Sequence, residues 1–145
     1  LGNFAHGFTY SGHPVSAAVA LRNLELMEEM DLFAHAEKMG AILQQRLQQF
    51  VGHPLVGEVR GKGLIAAVEL VRRAEPRETF APSDGVGAYC SSACHEAGLV
   101  LRNLGDSIAI CPPLIINESQ IDELMTKLGT ALNQTHEWVN KQGLR

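Results

Sequence analysis

Apolar residues recur every three or four positions over much of this chain, and the breaks in that rhythm mark its elements. From Val15, the residues Ala18, Leu21, Leu24 and either Met27 or Leu26 keep a helical stripe. Pro14 stands where a first helical residue tolerates proline. Phe33, Ala36, Met39, Leu43, Leu47 and Phe50 carry the period through a second helix, with Asp31 as its expected cap and Gly52 and Pro54 as its stop. The pattern then shortens. Val56 to Val71 is apolar, partly β-branched and punctuated by glycines, which predicts two strands with a turn near Arg60–Gly63. Ser83 is placed to cap a helix running to Ala97, with Gly98 at its end. Leu99 to Arg102 and Ile108 to Cys111 read as short strands around a Gly105–Asp106 turn, the second stopped by Pro112 and Pro113. In the last segment, Asn117 and Gln120 suit a capping box, and Ile121, Leu124, Met125, Leu128, Leu132 and Val139 make one apolar face. Helices mixed with short strands predict an α/β fold of the α+β kind, a small sheet covered by helices.

Composition narrows this little. The 145 residues are 46% hydrophobic and 19% charged, as in an ordinary globular domain. A net charge of −4 argues against a nucleic-acid surface. No apolar run approaches the length of a membrane span, and nothing at the start reads as a signal peptide. Because Leu1 is not an initiator methionine, the chain is expected to begin inside a longer one. Three cysteines suit reduced thiols and a cytoplasmic setting. Cys90 and Cys94 share a helix face, but no second ligand cluster completes a zinc site, so packing is the preferred role.

Periodicity alone leaves the activity open. Three motifs narrow it: His6-Gly7-Phe8-Thr9-Tyr10-Ser11-Gly12-His13-Pro14 before the alanine-rich helix, Val59-Arg60-Gly61-Lys62-Gly63-Leu64-Ile65 before Glu69-Leu70, and Gly98-Leu99-Val100-Leu101-Arg102 before Gly105-Asp106 and Pro112-Pro113-Leu114. In order and separation they resemble the carboxy-terminal part of class III (ω-type) aminotransferases, close to the ω-amino acid:pyruvate and amine:pyruvate enzymes. The resemblance spans essentially the whole chain and implies the fold of the type I transferases that use pyridoxal 5′-phosphate (PLP). It implies that residues 1–30 close the large PLP-binding domain and supply a linking helix, and that residues 31–145 form the small carboxy-terminal domain. It further implies a homodimer with active sites at the subunit interface, and an amino group moved from an ω-amino acid or amine to a keto acid such as pyruvate.

The resemblance also suggests roles. Thr9 lies in a glycine-rich loop before a helix, where a hydroxyl and backbone N–H groups suit phosphate oxygens. The matching threonine reaches the cofactor phosphate, with Phe8 contributing through its backbone. The matching arginine to Arg102 grips the substrate carboxylate, for which a planar fork of donors is suited. The competing role for Arg102 is a surface ion pair with Asp106 or another acid. His13 is read as fixing the loop or helix start rather than as a base. Arg60 to Gly63 lacks the spacing of a nucleotide-phosphate loop and reads as strand bending.

Transamination on PLP needs a Schiff-base lysine. Lys38, Lys62, Lys127 and Lys141 are the only lysines present, and none matches the family position, which lies upstream. No catalytic residue is therefore assigned, and these residues alone are expected to be inactive. Two alternatives stand beside this reading. One is another PLP enzyme of the same class, an aminomutase, decarboxylase or racemase. The other is a non-catalytic interaction domain.

Overall fold

The structure is a computed structural model that describes Gly2 and residues 6–145. It divides into two compact units, residues 1–33 and 34–145.

In the first unit, two hydrogen bonds between Phe8 and Ser11 close a turn, Phe8 N–H to Ser11 Oγ at 2.8 Å and Ser11 N–H to Phe8 O at 2.9 Å. Helix α1, Pro14–Glu29, follows with proline in its first turn, as expected. His13 caps it, its Nδ1 accepting from Ser16 N–H at 3.4 Å. Arg22 pairs with Glu25 and Glu29 along the exposed surface. No residue of this 16-residue helix is buried.

The second unit carries the core. Helix α2, Leu32–Leu47, continues into a single 3₁₀ turn, Gln48–Phe50. Asp31, expected to cap α2, instead sits in the left-handed region with φ 46°. Its side chain makes no hydrogen bond among the described residues. Strands β1, Val56–Lys62, and β2, Ile65–Leu70, form a hairpin whose turn falls at Gly63–Leu64, later than expected. Gly63 supplies φ 57° there. Gly61 stays in the strand, where an added Cβ would strike Ile65 and Ala66.

Helix α3, Val86–Glu96, starts later than the Ser83 cap predicted. Pro82–Asp84 forms a separate 3₁₀ turn, tied by the Asp84 carboxylate accepting Ala81 N–H at 2.9 Å, and Gly85 at φ 66° breaks it from α3. The expected strand Leu99–Arg102 is also displaced. Leu99 N–H donates to Cys94 O at 2.8 Å and Ser91 Oγ donates to Leu101 O at 3.2 Å, so α3 takes these backbone groups before the sheet can. Arg102 therefore opens β3, Arg102–Leu104, rather than closing a strand. β4 is Ser107–Ile110. The capping box of Asn117 and Gln120 is present at the start of helix α4, Glu118–Lys141.

All strand pairs are antiparallel, in the order β1-β2-β4-β3. One sheet face joins Met39, Leu43 and Leu47 of α2, Val86, Cys90 and Cys94 of α3 and the apolar stripe of α4 in a single core. Ala66, Val68, Leu70, Ile108 and Ile110 are the strand residues that point into it. Cys90 and Cys94 are fully buried in this packing. Hydrogen bonding to Cys90 and burial together push the Cys94 thiol up, so it packs as a neutral group.

Candidate functional site

Antiparallel register decides which side chains share a face. Arg102 lies opposite Ala109, Ala109 opposite Ala67, and Ala67 opposite Arg60. This row crosses the whole sheet on the side away from the core. The next row along the same face holds Leu104, Ser107, Glu69 and, on β1, Glu58. Small alanines in the middle of the first row leave its two ends, both arginines, as the tall groups.

The arginines differ in their partners. Arg60 donates to Glu58 at 3.1 Å, to Glu69 at 2.9 Å and to Ser107 Oγ at 3.3 Å. Arg77 joins the same cluster through Glu69 and Glu58. The Arg77 hydrogen bond, aided by Arg60, holds the Glu69 carboxyl below the usual range despite its partial burial. Arg102 is exposed and makes no ion pair or side-chain hydrogen bond among the described residues. The ion pair with Asp106 weighed from the sequence is not formed: the Asp106 carboxylate accepts from Gly87 N–H at 2.9 Å instead. Burial raises the Asp106 carboxyl above its ordinary value, while the Gly87 bond acts the other way.

Beside Arg102 the segment 98–102, the end of β4 and the first turns of α4 enclose an open groove of about 750 Å³. Leu99, Pro113, Ile115 and Leu124 make its apolar wall. Its other cation, Lys127, is paired with Glu123 at 2.6 Å. The guanidinium of Arg102 is thus the cation of this groove whose charge the unit leaves unmatched. A planar donor fork in that state fits a carboxylate, which accepts two parallel bonds.

In the first unit the Phe8 backbone is spent inside its own turn, both its N–H and C=O being bonded to Ser11. Thr9 is exposed, and neither its hydroxyl nor its N–H bonds any described residue. The side-chain bond that closes this turn is made by Ser11, not by Thr9. A phosphate's acceptor oxygens therefore fit Thr9 better than they fit Phe8. His13, as the cap of α1, keeps the structural role expected of it.

The charge cluster of Glu58, Arg60, Glu69 and Arg77 was not found from the sequence. Its one signal was alternation, since charges two apart on predicted strands share a face. The tie between Asp106 and Gly87 had no local signal.

The family model described as Aminotransferase class-III matches residues 1–132. Over 135 residues the chain is 49% identical to a putrescine–pyruvate aminotransferase of Pseudomonas aeruginosa, covering 92% of this chain and 29% of that protein. It is 42% identical over 137 residues to a probable mitochondrial γ-aminobutyrate transaminase of Oryza sativa subsp. indica, covering 94% and 27%. Among solved structures, an omega transaminase of Pseudomonas jessenii in complex with PMP superposes with a TM-score of 0.88 at 46% identity, covering 94% of this chain and 30% of that one. The chain thus spans less than a third of the length of these relatives.

Proposed function

The chain belongs to the class III aminotransferases, a PLP-using family, and from that premise we propose that it is the carboxy-terminal portion of an enzyme moving an amino group from an ω-amino acid or amine to a keto acid such as pyruvate. The observation that carries this reading is Arg102, set by register on the open face of the sheet with its charge unmatched. Arg102 is the group that binds and orients the substrate carboxylate. The putrescine–pyruvate relative pairs a donor without a carboxylate with an acceptor that has one, a contrast that a cation able to engage only the acceptor would serve.

PLP, when bound, supplies the electron sink for exchange of the amino group. Thr9 is the residue here that would hold its phosphate, through a hydroxyl and N–H free in the turn; Phe8 would contribute only by giving up a bond to Ser11. The reading extends to a homodimer with active sites at the subunit interface. A reducing, cytoplasmic compartment suits its free thiols. No helix among the described residues is long and apolar enough to cross a membrane.

The test separates the two half-reactions in the full-length enzyme by following the cofactor spectrum. Arg102→Ala should lower the rate constant for keto acid by about a hundredfold, the loss expected for charge-assisted bonds of about 1.5–3 kcal/mol each. The amine half-reaction should stay within about twofold of the parent. Arg102→Lys should recover only part of the loss, since a point charge does not reproduce the fork. Equal losses with both substrates would refute the assignment. Thr9→Ala should weaken PLP retention about ten- to a hundredfold and Thr9→Ser should largely restore it; an alanine variant retaining PLP like the parent removes the phosphate role.

A further inference from the structure

A helix normally caps its first N–H groups with its own preceding side chain. Helix α3 has none to use, because its N-cap is Gly85. The acceptor arrives from 19 positions along the chain, where the Asp106 carboxylate takes the Gly87 N–H at 2.9 Å. Asp106 sits in the turn between β3 and β4. Its own carbonyl accepts Leu70 N–H at 2.8 Å, at the end of β2. The turn is also pressed directly against α3, since a Cβ added to Gly87 would run into the Gly105 carbonyl. One residue thus joins the helix start, the central strand β2 and the β3–β4 turn. Strand β3 lies at the edge of the sheet. It is three residues long, pairs only with β4 on one side, and begins with Arg102.

We propose that Asp106 is a positioning residue for Arg102, fixing the edge strand on α3 so that the guanidinium meets the substrate carboxylate at a set place. The inference rests on the carboxylate-binding reading of Arg102. Asp106 touches no substrate; it acts by holding the hairpin. Ser91, bonded to Leu101 O at 3.2 Å, secures the residue just before Arg102 in the same way. Acceptor geometry rather than charge is what the Gly87 N–H requires, so asparagine should serve as well as aspartate, with less cost of burying a charge.

The experiment uses the full-length holoenzyme, with pyruvate and an unsubstituted amine as probes. Asp106→Ala should raise KM for pyruvate by about five- to tenfold, the effect of losing one capping bond, with kcat and the amine half-reaction near the parent. Asp106→Asn should return KM to within about twofold. In the Arg102→Ala background, Asp106→Ala should add nothing further, because the effect passes through Arg102. Equal losses with pyruvate and amine, no rescue by asparagine, or an additive double variant would overturn the proposal while leaving Arg102 its own role. An Arg102→Ala enzyme with no selectivity between the probes would overturn both. If the alanine variant does not fold, Asp106→Glu keeps the charge but displaces the acceptor by one methylene. It should raise KM for pyruvate selectively, and a parental KM in that variant would refute the proposal.

Discussion

The two faces of the sheet are built from the same four strands, yet they are held by different physics. On the inner face Ala66, Val68, Leu70, Ile108 and Ile110 lose nearly all contact with water and lock into three helices. On the outer face their sequence neighbours Ala67, Glu69, Ser107 and Ala109 stay partly wet, and Arg60 and Arg102 stand at the edges. The inner face is apolar and its energy comes from burial and close packing. On the outer face Glu58, Arg60, Glu69 and Arg77 are arranged by pairing, whereas Arg102 makes no ion pair among the described residues. The contrast teaches that stability and recognition are separated by a single step of strand register: moving one residue along a strand passes from the core to the candidate site.

Breaking the inner face should cost most. Leu43→Ala removes a fully buried side chain where α2 meets the core, and should destabilise the protein by about 2–5 kcal/mol in thermal or denaturant unfolding. Ile108→Ala, on the strand beside Arg102's row, should fall in the same range. By contrast Arg102→Ala should shift stability by less than about 0.5 kcal/mol, because an exposed, unpaired side chain contributes little to folding. A melting temperature falling as far for Arg102→Ala as for Ile108→Ala would erase the distinction between the faces.

Smaller effects test the charge cluster. Glu69→Gln removes one of the two acids that Arg60 and Arg77 share and should cost about 1 kcal/mol or less, since the cluster is partly exposed. That loss should shrink in high salt, whereas the Leu43→Ala loss should not.

The smallest expected effect lies away from both faces. His53 takes Leu55 N–H on Nδ1 and lies 3.3 Å from Asn133 Oδ1, with His136 and Arg145 beside it. Burial, with His136 and Arg145 adding repulsion, holds the imidazole below its ordinary value against the pull of Asn133. The unfolded chain then binds a proton more readily than the folded one, so stability rises with pH. The contribution is complete above about pH 6.5 and is lost as pH falls below it. Unfolding measured from pH 7.5 down to 5 should show this decline, and His53→Gln should flatten it.

Local chemistry was enough to place much of this. The stripe and capping box of α4 were legible because both depend on residues three or four apart. Pro14 marked the start of α1, and the identity of the family rested on short motifs that survive without their partners. The same locality explains the limits. Ser83 looked like a cap because the left-handed turn at Gly85 cannot be read from neighbouring polarity. Strand β3 was misplaced because the partners of Leu99 and Leu101 belong to α3, so apolar alternation alone extended it too early. Arg102 could be named from its motif, but its freedom from Asp106 depended on where Gly87 lay. Sequence by itself determined the helical stripes, the turn residues and the family, since these are written in spacings of a few residues. Tertiary structure alone decided which strand face meets water and which charges are left unmatched, because those depend on register and hydrogen bonds between segments far apart in the chain.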